Sequence, residues 1–206
     1  MVKLFIFDIE TTGTHAKIHG IHQLAGKIVV DGKFVEQFNW NIQPFPGQEI
    51  TEDALLVSKI KREVFRDYNK PKDIYKKLLD ILGTYCNKYD KNDKYYLVGF
   101  NNSAFDNAFF REFFSRNNDL YFGSWFWSNP IDVYILAGIV LMNDRAEMLN
   151  FSLNTVAEKL GITVNKEKLH DAMYDIELTY QVYLKCMERL NCVTTKIENN
   201  KSEVQL

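Results

Sequence analysis

The 206-residue sequence predicts an α/β fold, with helices packed on a sheet, and three observations carry that expectation. Residues 3–10, Lys-Leu-Phe-Ile-Phe-Asp-Ile-Glu, are nearly all apolar up to the acids, as in a central strand covered on both faces. Residues 22–42 form two apolar runs split by Asp31-Gly32, a two-residue hairpin signal. From residue 49 the apolar period turns helical, with one further strand pattern, Tyr95-Tyr-Leu-Val-Gly99, set among the helices.

Taken in order, the first strand ends at Thr11-Thr12-Gly13, and residues 14–20 read as a polar loop. Strands over His22–Val30 and Lys33–Ile42 complete an antiparallel meander, the latter alternating around Phe34, Phe38 and Trp40; Pro44, Pro46 and Gly47 break it. Thr51, ahead of Asp53 and Ala54, opens a short capped helix. Pro71 opens a second, with Ile74, Leu78, Leu79 and Leu82 at helical spacing. After the strand at 95–99 a helix carries Phe109, Phe110, Phe113 and Phe114. The aromatic stretch Trp125-Phe126-Trp127 reads as core, and Ile131–Met142 as a helix after Asn129-Pro130. Ser152–Leu160 is a capped amphipathic helix ending at Gly161, and His170 to about Leu190 the last long one. Residues 1–190 make one domain, and 191–206 a polar, flexible tail.

Composition bounds the function. A net charge of −2 and a pI near 6.1 exclude a bulk basic field for tight, non-specific duplex binding. They leave room for an enzyme that grips a few nucleotides through bound cations. Cys86, Cys186 and Cys192 follow no metal or redox spacing and read as reduced thiols of a cytoplasmic protein. No run of 18 apolar residues is present and a strand begins at once, so neither a membrane span nor a leader is expected. His15, His19 and His22 tempt toward a zinc site, but no helix signal aligns them; they read as loop residues at the rim of a groove.

The chemistry sits with the acids. Side chains alternate along a strand, so Leu4, Ile6, Asp8 and Glu10 share one face, and Lys3, Phe5, Phe7 and Ile9 the other. Two neighbouring carboxylates on a buried strand repel and lose hydration, so a cation must join them. Asp106 lies three and four residues before Phe109 and Phe110 and shares their face; Asp175 flanks the apolar stripe of the last helix. Any one of these acids is explained by capping a turn or helix, but four at once are not. Hard oxygen donors without cysteine suit Mg²⁺ or Mn²⁺, and a histidine near one acid suits a general base.

Three segments, Phe7-Asp8-Ile-Glu10-Thr-Thr-Gly13, Gly99-Phe-Asn-Asn102-Ser-Ala-Phe105-Asp106 and His170-Asp-Ala-Met-Tyr-Asp175, resemble the motifs of the DEDD 3′→5′ exonucleases. The histidine five positions before Asp175 points to their DEDDh group; the tyrosine-bearing sister group would need tyrosine where Asp171 stands. The likeness spans about residues 3–188. It implies an RNase H-like fold with a mixed five-stranded sheet, the meander joined by parallel strands, flanked by helices. It implies that Asp8, Glu10, Asp106 and Asp175 bind two divalent cations, Mg²⁺ or Mn²⁺, and that His170 is the general base. Thr11 and Thr12 would meet the terminal nucleotide, Thr11 its 3′-hydroxyl, with Asn102 and Phe105 nearby.

The resemblance thus implies hydrolysis of single-stranded DNA from its 3′ end, releasing nucleoside 5′-monophosphates. The expected type is a proofreading or repair nuclease similar to the epsilon subunit of a bacterial replicase, with a DNA polymerase as a possible partner. An exoribonuclease similar to ribonuclease T or oligoribonuclease is the alternative within the same chemistry, and a non-catalytic nucleic-acid-binding module the alternative outside it. All five catalytic positions hold the family's residue, which argues against the binding module.

Overall fold

The computed structural model describes residues 1–169 and 171–203, with side chains described through 192. Five strands form one mixed sheet in the order β3-β2-β1-β4-β5. The strands are β1 (Lys3–Thr11), β2 (Ile21–Val30), β3 (Lys33–Asn41), β4 (Tyr96–Gly99) and β5 (Ile131–Asp132). β1 pairs antiparallel with β2 and β2 with β3, while β4 runs parallel to both β1 and β5. The meander turns at Asp31 and Gly32, both at positive φ (47° and 76°), as a two-residue turn following the strands' twist requires.

The alternation along β1 divides the core in two. Phe5, Phe7 and Ile9 enter an aromatic-rich layer with α2 (Pro71–Tyr85), α3 (Asp106–Arg116) and α4 (Phe122–Trp125). Phe5 stacks on Phe110 at 5.6 Å and 13°, and Trp125 and Phe126 are buried, as core should be. On the other face, Leu4 and Ile6 meet α5 (Val133–Val140), α6 (Leu153–Lys159) and α7 (Ala172–Glu203). The short α1 (Glu52–Ser58) is capped by Thr51, whose hydroxyl accepts from Ala54 N at 3.2 Å.

Two sequence readings change. Ile131–Asp132 is not the start of a helix but a two-residue strand, because pairing of Gly99 with Asp132 extends the sheet before α5 begins. The last helix begins at Ala172, after Asp171, whose carboxylate accepts from Tyr174 N at 3.0 Å; it continues past Leu190 to Glu203. Among the described residues, no helix is long and apolar enough to cross a membrane.

Candidate active site

β1 outruns its parallel neighbour. The last β1–β4 pair is Ile6 with Val98, so Asp8 and Glu10 lie beyond it, held on the other side by pairing with Ala25 and Gln23. The next step is irregular: Glu10 pairs with Gln23 but Thr11 with Ile21, a bulge-like shift that turns the chain out of the strand.

The turn that follows is tied from several directions. Thr12 is fully buried; its hydroxyl donates to Glu49 O (2.6 Å) and accepts from Gly20 N (2.9 Å), while its carbonyl accepts from Thr51 N (2.9 Å). Thr12 therefore holds the turn and the start of α1 together, and its hydroxyl is committed to that work. Thr11 is half-buried, and its hydroxyl donates to Gly13 O at 2.7 Å.

The histidines of this region differ from the sequence expectation. His19 and His22 are buried, not at a rim, and each does structural work. His19 Nδ1 accepts from His15 N at 3.0 Å, closing the 15–19 turn, and its ring lies against Gly13. His22 Nε2 sits 3.1 Å from Ser58 Oγ, joining β2 to α1, and burial lowers its pKa to about 4. Only His15 is exposed, beside a groove of about 680 Å³ between the 14–18 turn and α3 that Thr14, Lys17, Ala108 and Arg111 also line.

Asp106 opens α3, where its charge faces the N-terminal end of the helix dipole. Asp175 stands in the first turn of α7, on the helix packed over the Leu4–Ile6 face of β1. These positions converge on Asp8. Its carboxyl is pushed well above the usual carboxylate range, first by burial and then by the negative charges of Asp106, Glu10 and Asp175; the Ile9 N–H opposes this weakly. Asp106 is pushed up to about 7, mainly by burial, with Glu10 and Asp132 adding to it against its own backbone N–H. Asp8 is partly accessible at the surface yet sits in a strongly desolvating recess.

The donor set fits a hard divalent cation: all oxygen, no thiol, with the strongest charges acting on Asp8 all negative. Among the described residues, no three His, Cys, Asp or Glu side chains stand in ligating geometry, so what the structure shows is a charge cluster. His170 lies outside the described residues.

Asn102 is 1% exposed, and neither its Oδ1 nor its Nδ2 has a hydrogen-bond partner. A buried amide left unsatisfied on both atoms is costly. It sits directly over Gly99, where a β-carbon would stand 2.7 Å from the Asn102 side chain. Phe105 is 36% exposed, its ring 4.9 Å from that of Phe109. Sequence reasoning missed Asp132, a buried acid that accepts two backbone N–H groups of this loop and one of α5. The signal was present: an acid immediately before the apolar run 133–141 is a helix-cap pattern.

Residues 5–183 match the family model RNase_T, described as exonuclease. The chain belongs to this exonuclease family. The resemblance to DEDDh-type 3′→5′ exonucleases drawn from the motifs therefore holds, as does the mixed five-stranded sheet. Among curated relatives, the DNA polymerase III PolC-type protein of Bacillus cereus is 27% identical over 184 residues, covering 89% of this chain and 11% of its own. Among solved structures, a product-bound exonuclease I superposes with TM-score 0.72 at 18% identity, covering 97% of this chain and 46% of its own. The zinc-ion-bound form of an E. coli exonuclease I–ssDNA complex gives 0.68 at 20% identity, covering 92% and 40%. This exonuclease-family chain thus spans about a tenth of the length of the PolC-type relative, and under half of each exonuclease I chain.

Proposed function

We propose that this chain is a divalent-metal-dependent exonuclease that removes nucleotides from the 3′ end of single-stranded DNA, releasing nucleoside 5′-monophosphates. The observation that carries this reading is the convergence of three negative charges on the desolvated Asp8 at the end of the central strand. Asp8, Glu10, Asp106 and Asp175 would hold two Mg²⁺ or Mn²⁺ ions; such a pair, when bound, stabilises the attacking and leaving oxygens of a phosphoryl transfer.

The chain's own residues supply the rest. The four carboxylates fix where the scissile phosphate lies. The half-exposed Phe105 ring offers a face for the terminal base, and the unsatisfied Asn102 amide gains a polar partner from the terminal nucleotide. Thr11, just past the irregular step in β1, meets the terminal 3′-hydroxyl through its backbone. His170, five residues ahead of Asp175 in sequence, takes the proton of the attacking water, its ordinary pKa lying near working pH. DNA is favoured over RNA because the curated relative is named a DNA polymerase and an exonuclease I neighbour is complexed with ssDNA. A DNA polymerase, in the same chain or as a partner, is proposed on the former ground.

The test is hydrolysis of matched 5′-labelled DNA and RNA single strands with Mg²⁺, with Mn²⁺ and with EDTA. A ladder shortening from the 3′ end, faster on DNA and abolished by EDTA, is expected. No shortening of either strand with any metal would sink the enzymatic reading, and faster RNA trimming would move the substrate class.

A further inference from the structure

The loop between β4 and α3, which carries Asn102 and leads into Asp106, is gripped by one carboxylate from another element. Asp132, 8% exposed, accepts at Oδ1 from Asn101 N (2.9 Å) and Tyr134 N (3.1 Å), and at Oδ2 from Ser103 N (3.2 Å). Capping α5 needs only the Tyr134 bond. The other two reach back 31 and 29 residues and take the amide protons on either side of Asn102.

The loop between those two bonds is tightly shaped. Asn101 lies in the left-handed region at φ 60°, and Asn102 seats on Gly99. The Asn102 carbonyl accepts from Asn107 N at 3.1 Å, in the first turn of the helix that Asp106 opens. The Tyr134 ring meets that of Phe100 edge to face at 5.5 Å and 79°.

We propose that Asp132 is a positioning residue: its carboxylate sets the loop that aims Asn102 and Asp106 at the acid cluster, without itself touching substrate or metal. The assignment rests on the proposed nuclease reading for what the loop is aimed at. A buried carboxylate with three N–H donors is well satisfied, and hydrogen bonds to a charged acceptor are stronger than neutral ones. Neutralising it leaves at least one of the amides flanking Asn102 without its acceptor.

The experiment compares Asp132→Asn with Asp119→Asn, which removes a carboxylate bonded to the Tyr75 hydroxyl at the far end of α3. Mn²⁺ affinity is read by calorimetry and hydrolysis by steady-state kinetics. Asp132→Asn should weaken Mn²⁺ binding about 10-fold or more, as loss of a supporting partner does. It should lower kcat about 10–100-fold, as small misplacements do, with part of the rate restored at high Mn²⁺. Asp119→Asn should lose stability but keep both values. Wild-type affinity and kcat in Asp132→Asn, or equal losses in the two variants, would overturn the proposal. Should Asp132→Asn not fold, amide exchange in the wild-type protein decides: Asn101 and Ser103 N–H must be protected, and exchange at exposed rates overturns it. Failure of the nuclease reading is distinguishable, because then the wild-type protein itself neither binds Mn²⁺ nor shortens DNA.

Discussion

His19 lies with its ring against Gly13, so close that a β-carbon at position 13 would stand 2.3 Å from His19 Cδ2. The turn after the first two acids is thus packed on a histidine from its own loop. Gly13→Ala should cost about 1–3 kcal/mol through overpacking, read by chemical denaturation. His19→Ala opens the space, so the double variant should lose less than the sum of the two single losses. Strict additivity would show that the two residues do not press on each other.

His22 gives the fold a pH dependence of known sign. Burial holds its pKa near 4, against 6.5 for an unperturbed ring, so between these values the unfolded chain binds a proton that the folded protein refuses. Its contribution is therefore lost as pH falls from 6.5 through 4, by on the order of 3 kcal/mol at most. Urea titrations of wild type and His22→Gln across that window should converge toward low pH. A constant difference between them would assign the acid sensitivity elsewhere.

Ionising Asp8 costs stability, because burial and three like charges press on its carboxyl. Asp8→Asn should raise the melting temperature in EDTA while abolishing hydrolysis. Wild type should gain about 2.7 kcal/mol at a metal concentration 100 times its Kd, and the variant distinctly less. Equal metal-induced shifts in the two proteins would remove Asp8 from the ligand set.

Phe105, the residue before Asp106, carries an exposed ring that does not belong to the buried core. Phe105→Leu should leave the melting temperature within about 2 °C, a small surface effect. It should raise KM for a single-stranded oligonucleotide about 10-fold or more, since stacking of one base is worth about 1–3 kcal/mol. An unchanged KM would place the terminal base elsewhere.

Much of this was legible in the residues because the controlling patterns are local. The alternation of Lys3 to Glu10 put Phe5 and Phe7 in one core layer and Leu4 and Ile6 in the other, as observed. Asp31-Gly32 stated its own turn, and Thr51 and Pro71 their helix starts. What escaped was tertiary. No pattern at His19 and His22 distinguishes a rim residue from one buried against Gly13 or Ser58, because partners 6 and 36 residues away decide it. β5 has no signal of its own because two residues cannot show a period, and only pairing with Val98 and Gly99 makes them a strand. Asp132 was overlooked because its donors at 101 and 103 belong to another segment.

The early end of parallel pairing along β1, at Ile6 and Val98, leaves Asp8 and Glu10 held from the β2 side alone within the sheet. The spacing of Asp8 and Glu10 is guaranteed by the antiparallel ladder to β2, which no residue of the 100–105 segment helps to build. Exchanging that segment, while keeping Gly99, Asn102 and Asp132, leaves the paired carboxylates of β1 undisturbed. A change in that loop therefore shifts Asp106 relative to the β1 pair, while the pair itself keeps its spacing.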